Sequence, residues 1–204
     1  MTVGVIGAGN IGATVARLAV AAGHSVVIAN SRGPDSLKDL VTKLGPKARA
    51  GTAAEAIAQG DIVVVAIPFR DRDDLFKSSV DFSGKIVVDA MNPYTTDFKL
   101  MDLGGLGSAE VVASELPGAR VVKAFNTLYY ETLDSSARPK GSPERIVLPL
   151  AGDDAEAKRT VSSFIDSVGY DPLDLGTLVD GRKQEPGSPY SKPLSLAQAK
   201  ALAT

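Results

Sequence analysis

Apolar positions along the chain fall into two alternating patterns. Short unbroken runs of aliphatic residues mark strands buried on both faces, and apolar residues three and four apart mark the helices that cover them. Val3 to Ile6 is the first strand run. Ile11, Val15, Leu18, Ala19 and Ala22 then share one helical face, which ends at Gly23, a residue suited to a helix C-terminus. Ser25 to Ala29 reads as the second strand, followed by the loop Asn30 to Pro34. Asp35 or Ser36 is placed to cap a helix through Leu37, Leu40, Val41 and Leu44. Ala48 to Ala50 is a short third strand, and Thr52 caps a small helix over Ala53 to Gln59. Asp61 to Ile67 is the clearest strand, a β-branched run stopped by Pro68.

The alternation continues. Asp71 to Ser79 is expected as helix, Lys85 to Asp89 as strand, and residues 94–107 as a Gly-rich loop. Ser108 is expected to cap a helix reaching Leu116, and Arg120 to Phe125 is a sixth strand. Residues 134–144, rich in Ser, Pro, Gly and charge, read as a flexible loop or lid. Ile146 to Leu150 is a strand, and Gly152-Asp153-Asp154 opens a helix with Ala157, Val161, Phe164, Ile165 and Val168 inward. Pro172 to Leu175 is a last short strand, Thr177 to Lys183 a turn or two of helix, and the stretch from Glu185 onward an irregular tail. Strands alternating with helices predict an α/β Rossmann fold: a doubly wound, mostly parallel sheet of about eight strands, with a small C-terminal extension. The expected strand order begins 3-2-1-4-5-6. Residues 1–133 form the dinucleotide-binding domain in this reading, and residues 145–204 the extension packed on the same sheet.

The chemistry starts where the first strand meets the first helix. Gly7-Ala8-Gly9-Asn10-Ile11-Gly12 has the spacing G-x-G-x-x-G in the strand–turn–helix context of a dinucleotide fingerprint. Gly7 permits the tight turn, Gly9 lets a pyrophosphate approach the backbone, and Gly12 lets helix and strand pack closely. The helix N-terminus offers free N–H groups and a positive dipole end. At the end of the second strand an NAD enzyme places Asp or Glu for the ribose 2′-hydroxyl. Here stand Asn30, Ser31 and Arg32, with no carboxylate before Asp35. A hydroxyl and a guanidinium suit a 2′-phosphate, so NADP(H) is the expected cofactor, with Lys38 adding charge nearby.

Composition excludes several classes. The chain has 204 residues and a net charge of −2, which gives no basic surface for nucleic acid or anionic membrane. It has no cysteine, so disulfides, thiolate metal sites and a Cys nucleophile are ruled out. One histidine and scattered acids make no metal site. The apolar start runs straight into the fingerprint and no stretch suits a membrane span, so a cytoplasmic location is expected.

In an open α/β sheet the ligand crevice lies outside the carboxyl ends of the strands. That rule adds Ala66, Ile67 and Pro68, then Ala90 and Asn92, to the cofactor contacts. Asn126, Thr127 and Tyr129 are the catalytic candidates, with Tyr130 beside them as a second proton donor. Phe125 reads as core rather than as a ring stacker. His24 stands before the second strand, opposite the crevice, and Asp71, Asp73, Asp74 and Asp153 read as caps or solvated acids.

Five segments together carry a resemblance: Gly7 to Gly12, Asn30-Ser31-Arg32-Gly33, Val122-Lys123-Ala124-Phe125-Asn126-Thr127, Leu150 to Asp154, and Asp174-Leu175-Gly176. They are similar to the coenzyme F420-dependent NADP oxidoreductases, a group related to pyrroline-5-carboxylate reductase and 6-phosphogluconate dehydrogenase. The resemblance covers the chain to about residue 185 and stops before the tail. It implies hydride transfer between NADPH and a deazaflavin, coenzyme F420, or a flavin-type acceptor. Two other readings stay open: reduction of a small imine or carbonyl with Tyr129 or Tyr130 as donor, and a redox sensor that holds NADP without turnover. The apolar residues of the tail, among them Leu173, Leu175, Leu178, Tyr190, Leu194 and Leu196, predict a homodimer interface, because a Pro- and Gly-broken segment has no secondary structure of its own to bury them.

Overall fold

The structure is a computed structural model that describes residues 1–78 and 80–202. Eight strands form one sheet: β1 (Thr2–Ile6), β2 (Ser25–Ala29), β3 (Ala48–Ala50), β4 (Ile62–Val65), β5 (Ile86–Asp89), β6 (Arg120–Ala124), β7 (Val147–Gly152) and β8 (Asp171–Asp174). Their order is β3-β2-β1-β4-β5-β6-β7-β8. All pairs are parallel except β6 with β7. This is the Rossmann α/β arrangement. Pro149 is tolerated inside β7 because β6 pairs only as far as Leu150, so its missing N–H leaves no gap in that ladder.

Eight helices are described: α1 (Asn10–Ala21), α2 (Lys38–Leu44), α3 (Ala53–Gln59), α4 (Arg72–Phe76), α5 (Ser108–Glu115), α6 (Tyr130–Ser135), α7 (Ala155–Ser167) and α8 (Leu196–Ala201). Successive side chains of a strand point to opposite faces. Val3, Val5, Ile28, Val64, Val88 and Val122 accordingly face α1, α6 and α7 through Val15, Leu18, Leu133, Val161 and Phe164. Val27, Val63, Val65, Val87 and Val121 face α3 and α5 through Ala56, Ile57 and Val112. Each Val, Leu, Ile or Phe among them contributes roughly 1.5–3 kcal/mol by leaving water.

Several expectations are corrected. The helix after β2 begins as a 3-10 turn over Pro34–Leu37, and neither Asp35 nor Ser36 caps α2. The helix expected over 71–79 is split: a 3-10 turn at Phe69–Asp71, then the short α4 ending at Phe76. Pro68 fixes the turn, and three acids in sequence with Arg and Lys give no long apolar stripe; Ser79 lies outside the described residues. Ser108 is the first residue of α5, not its cap; Gly107 holds the cap position and donates its N–H to Glu110 Oε2 at 2.7 Å. The loop 134–144 is tied down, with Arg138 N–H bonded to Gly169 O at 3.0 Å and Lys140 to Asp166 at 2.9 Å.

The tail is the largest correction. Ser195 and Gln198 form a capping box that starts α8, a helix absent from the sequence reading. Tyr190, Leu194 and Ala199 are buried against Val147, with Leu173, Leu175 and Leu196 beside them. The Leu194 carbonyl also accepts the N–H of Val147 at 2.9 Å. The tail thus buries Tyr190, Leu194 and Ala199 on its own sheet, while Val179 and Leu202 stay exposed. The buried residues of this cluster do not need a second chain, and a homodimer remains a proposal.

Candidate functional site

The turn from β1 into α1 shows why its glycines stand where they do. Gly7 has φ +106°, and a Cβ there would lie 2.3 Å from Ala66 O. A Cβ on Gly12 would lie 1.8 Å from Gly7 O, so α1 sits on the turn only without one. At Gly9 the situation is reversed. It is the N-cap of α1, no side chain caps the helix there, and a Cβ would meet nothing within 4 Å. The chain therefore leaves open space beside uncapped N–H groups and the positive end of the helix dipole. A dinucleotide pyrophosphate fits that cradle.

A cleft of about 600 Å³ opens at this turn. Gly7, Ala8 and Gly9 form its floor, Asn30, Ser31 and Arg32 one wall, and Ala66, Ile67 and Pro68 another. Ala53, Asp71, Asp74, Leu75 and Ser78 complete it. Asp71, at the N-cap position of α4, and Asp74 within it are solvent-exposed, as the sequence predicts, and both also line the cleft. Nothing in their local pattern signals the cleft, because the placement depends on how α4 leaves β4.

Asn30 works within its own loop. Its Oδ1 accepts Arg32 N–H at 3.0 Å, and its Nδ2 donates to Ser36 Oγ at 2.9 Å. These bonds fold the loop so that Ser31 and Arg32 stand outward. The Arg32 guanidinium has no hydrogen-bond or ion-pair partner among the described residues, whereas Lys38 is paired with Asp35 at 3.0 Å. Arg32 is thus the cation of this wall available to an anion.

Asn10, Ile11, Gly12, Ala90, Asn92, Asn126, Thr127 and Tyr129 do not line the cleft. Asn92 and Asn126 bind each other's loops. Asn92 Nδ2 donates to Asn126 O at 2.9 Å, and Asn126 Nδ2 donates to Asn92 Oδ1 at 3.1 Å and to Gln184 O at 2.7 Å. Beneath them lies a pair the sequence reading missed. Lys123 Nζ meets Asp89 Oδ2 at 2.9 Å, with neither side chain exposed, and also donates to Met91 O. Asp89 Oδ1 accepts Met91 N–H at 2.9 Å. A cation and an anion in adjacent strands at register Asp89↔Lys123 are legible only once β5 and β6 are known to be neighbours. Phe125, buried at φ +64°, packs on Phe164 with ring centres 5.7 Å apart, and so belongs to the core.

The tyrosines stand elsewhere. Tyr129 is 66% exposed. The Tyr130 hydroxyl donates to Glu131 Oε1 at 3.1 Å, and that bond raises its pKa above the ordinary value. His24 lies near the N-terminal ammonium and bonds Ser167 Oγ at 2.8 Å. Burial, the ammonium and Lys47 lower its pKa, so it holds its charge poorly and stands apart from the cleft residues. No described helix is long and apolar enough to cross a membrane.

Comparison with known proteins matches this geometry. Residues 2–93 match the family described as NADP oxidoreductase, coenzyme F420-dependent. The chain belongs to that NADP oxidoreductase family. The matched stretch runs from β1 to the loop after β5 and contains every residue found lining the cleft. A hypothetical protein of Sinorhizobium meliloti is 40% identical, with a TM-score of 0.87 over 96% of this chain and 95% of its own. A protein of Arthrobacter sp. FB24, provisionally described as an F420-dependent NADP-reductase, is 25% identical with a TM-score of 0.74, over 89% of this chain and 86% of its own. Metalloreductase STEAP3 of Rattus norvegicus is 35% identical over 184 residues, 90% of this chain. The chain spans about a third of the length of the curated metalloreductases it matches, 35% in each case.

Proposed function

We propose that the cleft binds NADPH and that the protein passes its hydride to a flat redox cofactor, a deazaflavin or a flavin. The observation that carries this reading is a single cleft lined both by the uncapped N-terminus of α1 at Gly9 and by the unpaired Arg32. The helix end suits the pyrophosphate, and Arg32 with Ser31 suits a 2′-phosphate. Ile67 and Pro68 offer an apolar surface against which a nicotinamide ring can lie. NADPH, when bound, supplies the hydride; the chain binds and orients it.

Transfer between two ring systems needs close stacking and alignment more than a placed acid. Neither Tyr129 nor Tyr130 lines the cleft, which favours this reading over reduction of an imine or carbonyl with a tyrosine as donor. The likeness to metalloreductases is consistent with a flavin acceptor. A hydride carries two electrons, and delivery to a metal one electron at a time needs a carrier that takes two and gives one. Purified protein mixed with NADPH and, in turn, coenzyme F420, FMN or an imine tests this. Loss of the near-ultraviolet NADPH band only with a deazaflavin or flavin is expected. Oxidation only with the imine, or binding with no acceptor used, would overturn it.

A further inference from the structure

The C-terminal segment reaches the end of the sheet where the second half of a dinucleotide would lie. In a doubly wound sheet the strands on the far side of β1 serve the second mononucleotide, so the loops after β5 and β6 flank the nicotinamide half. Both loops are held from below and from the side. From below, Lys123 and Asp89 bracket the turn at Met91, the ammonium on its carbonyl and the carboxylate on its N–H. From the side, Gln184 accepts from Asn126 through its carbonyl and donates its own Nε2 to Lys123 O at 3.3 Å. Gln184 is fully buried, and its neighbours fix it: Glu185 Oε1 accepts Ser108 N–H at 2.6 Å, and Arg182 grips Glu110 with two bonds, at 2.6 and 2.9 Å.

Two features set this network apart from ordinary packing. A buried ion pair is weak evidence for stability, since apolar residues of similar volume often serve as well. Here the pair instead fixes the geometry of a loop at the carboxyl edge. The Asn126 amide nitrogen makes both its bonds to protein, which determines which way the amide faces. Its oxygen, with the neighbouring Thr127 hydroxyl, is buried without a partner among the described residues. Both groups belong to the loop after β6, at the carboxyl edge of the strands that serve the second mononucleotide.

We propose that the buried Lys123–Asp89 pair and Gln184 of the C-terminal segment are positioning residues that hold the loops after β5 and β6 for the nicotinamide half of the dinucleotide. The tail is on this account part of the site. The inference rests on the reading that the cleft binds NADPH.

The test compares two ligands, NADPH and adenosine 2′,5′-bisphosphate, which keeps the adenine half and lacks the nicotinamide. Lys123→Met alone strands a buried carboxylate, so the main variant is the double Lys123→Met/Asp89→Leu, with Gln184→Leu as an independent second. Binding is read by calorimetry, and ring ordering by the fluorescence enhancement of bound NADPH. Each variant is expected to weaken NADPH five- to tenfold, to lose most of the enhancement, and to bind the bisphosphate within twofold of wild type. Wild-type affinity and enhancement for NADPH in both variants would overturn the proposal. Equal loss of both ligands would overturn it too, since that marks general damage. Wild-type protein that binds neither ligand would instead remove the NADPH reading itself.

Discussion

A Cβ on Gly12 would stand 1.8 Å from the carbonyl oxygen of Gly7, whereas one on Gly9 would touch nothing within 4 Å. Two glycines of one motif thus answer to different demands, one set by the fold and one by the ligand. Gly12→Ala is expected to cost about 1–3 kcal/mol through overpacking, seen as a lowered Tm without ligand. Gly9→Val is expected to keep the wild-type Tm and lose NADPH binding, as measured by calorimetry. A Gly9→Val protein that binds NADPH normally would reduce the motif to a turn.

Arg32 separates the two nicotinamide nucleotides. Arg32→Ala is expected to weaken NADPH by about 1.5–3 kcal/mol, the worth of a charged hydrogen bond, and to leave NADH nearly unchanged. Side-by-side titrations check this. Equal losses for both would mean that the residue does not meet the 2′-phosphate.

Asp180 predicts how the tail responds to acid. Lys183 and the Thr177 N–H and hydroxyl hold its carboxyl down to about 2, against an ordinary 3.8. A depressed carboxyl contributes stability in full above its unfolded value and loses it as pH falls. The 3-10 turn Val179–Gln184 should therefore loosen between about pH 4 and pH 2, ahead of the sheet. Hydrogen exchange of residues 178–185 across that range, compared with Asp180→Asn, is the measurement. Exchange independent of pH, beyond its intrinsic rate change, would count against it.

Tyr190 tests whether the tail packs on its own sheet. It is 4% exposed, in a cluster with Val147, Leu194 and Ala199. Tyr190→Ala is expected to lower stability by on the order of 3 kcal/mol, with no change of molar mass in light scattering. A mass halved by this substitution would show that the cluster is shared between chains.

Sequence alone determined the strand order through β6, the glycine turn, the Ser31–Arg32 wall and the approximate bounds of most elements. These features are local: a β-branched run, a period of three and four, a turn that only glycine allows. The cap expected at Ser108 lies one residue away, at Gly107, and the two differ only in where the first helical hydrogen bond begins.

The tertiary structure decided the rest. No spacing along the chain ties Asp89 to Lys123, or Gln184 to Asn126; these contacts arise because β5 lies beside β6 and the chain returns over both. The tail reads as irregular because its Pro and Gly residues interrupt every period, yet Tyr190, Leu194 and Ala199 are buried. Their partners are residues of β7 and β8, and hydrophobic burial depends on what a surface meets in space rather than on what precedes it in sequence.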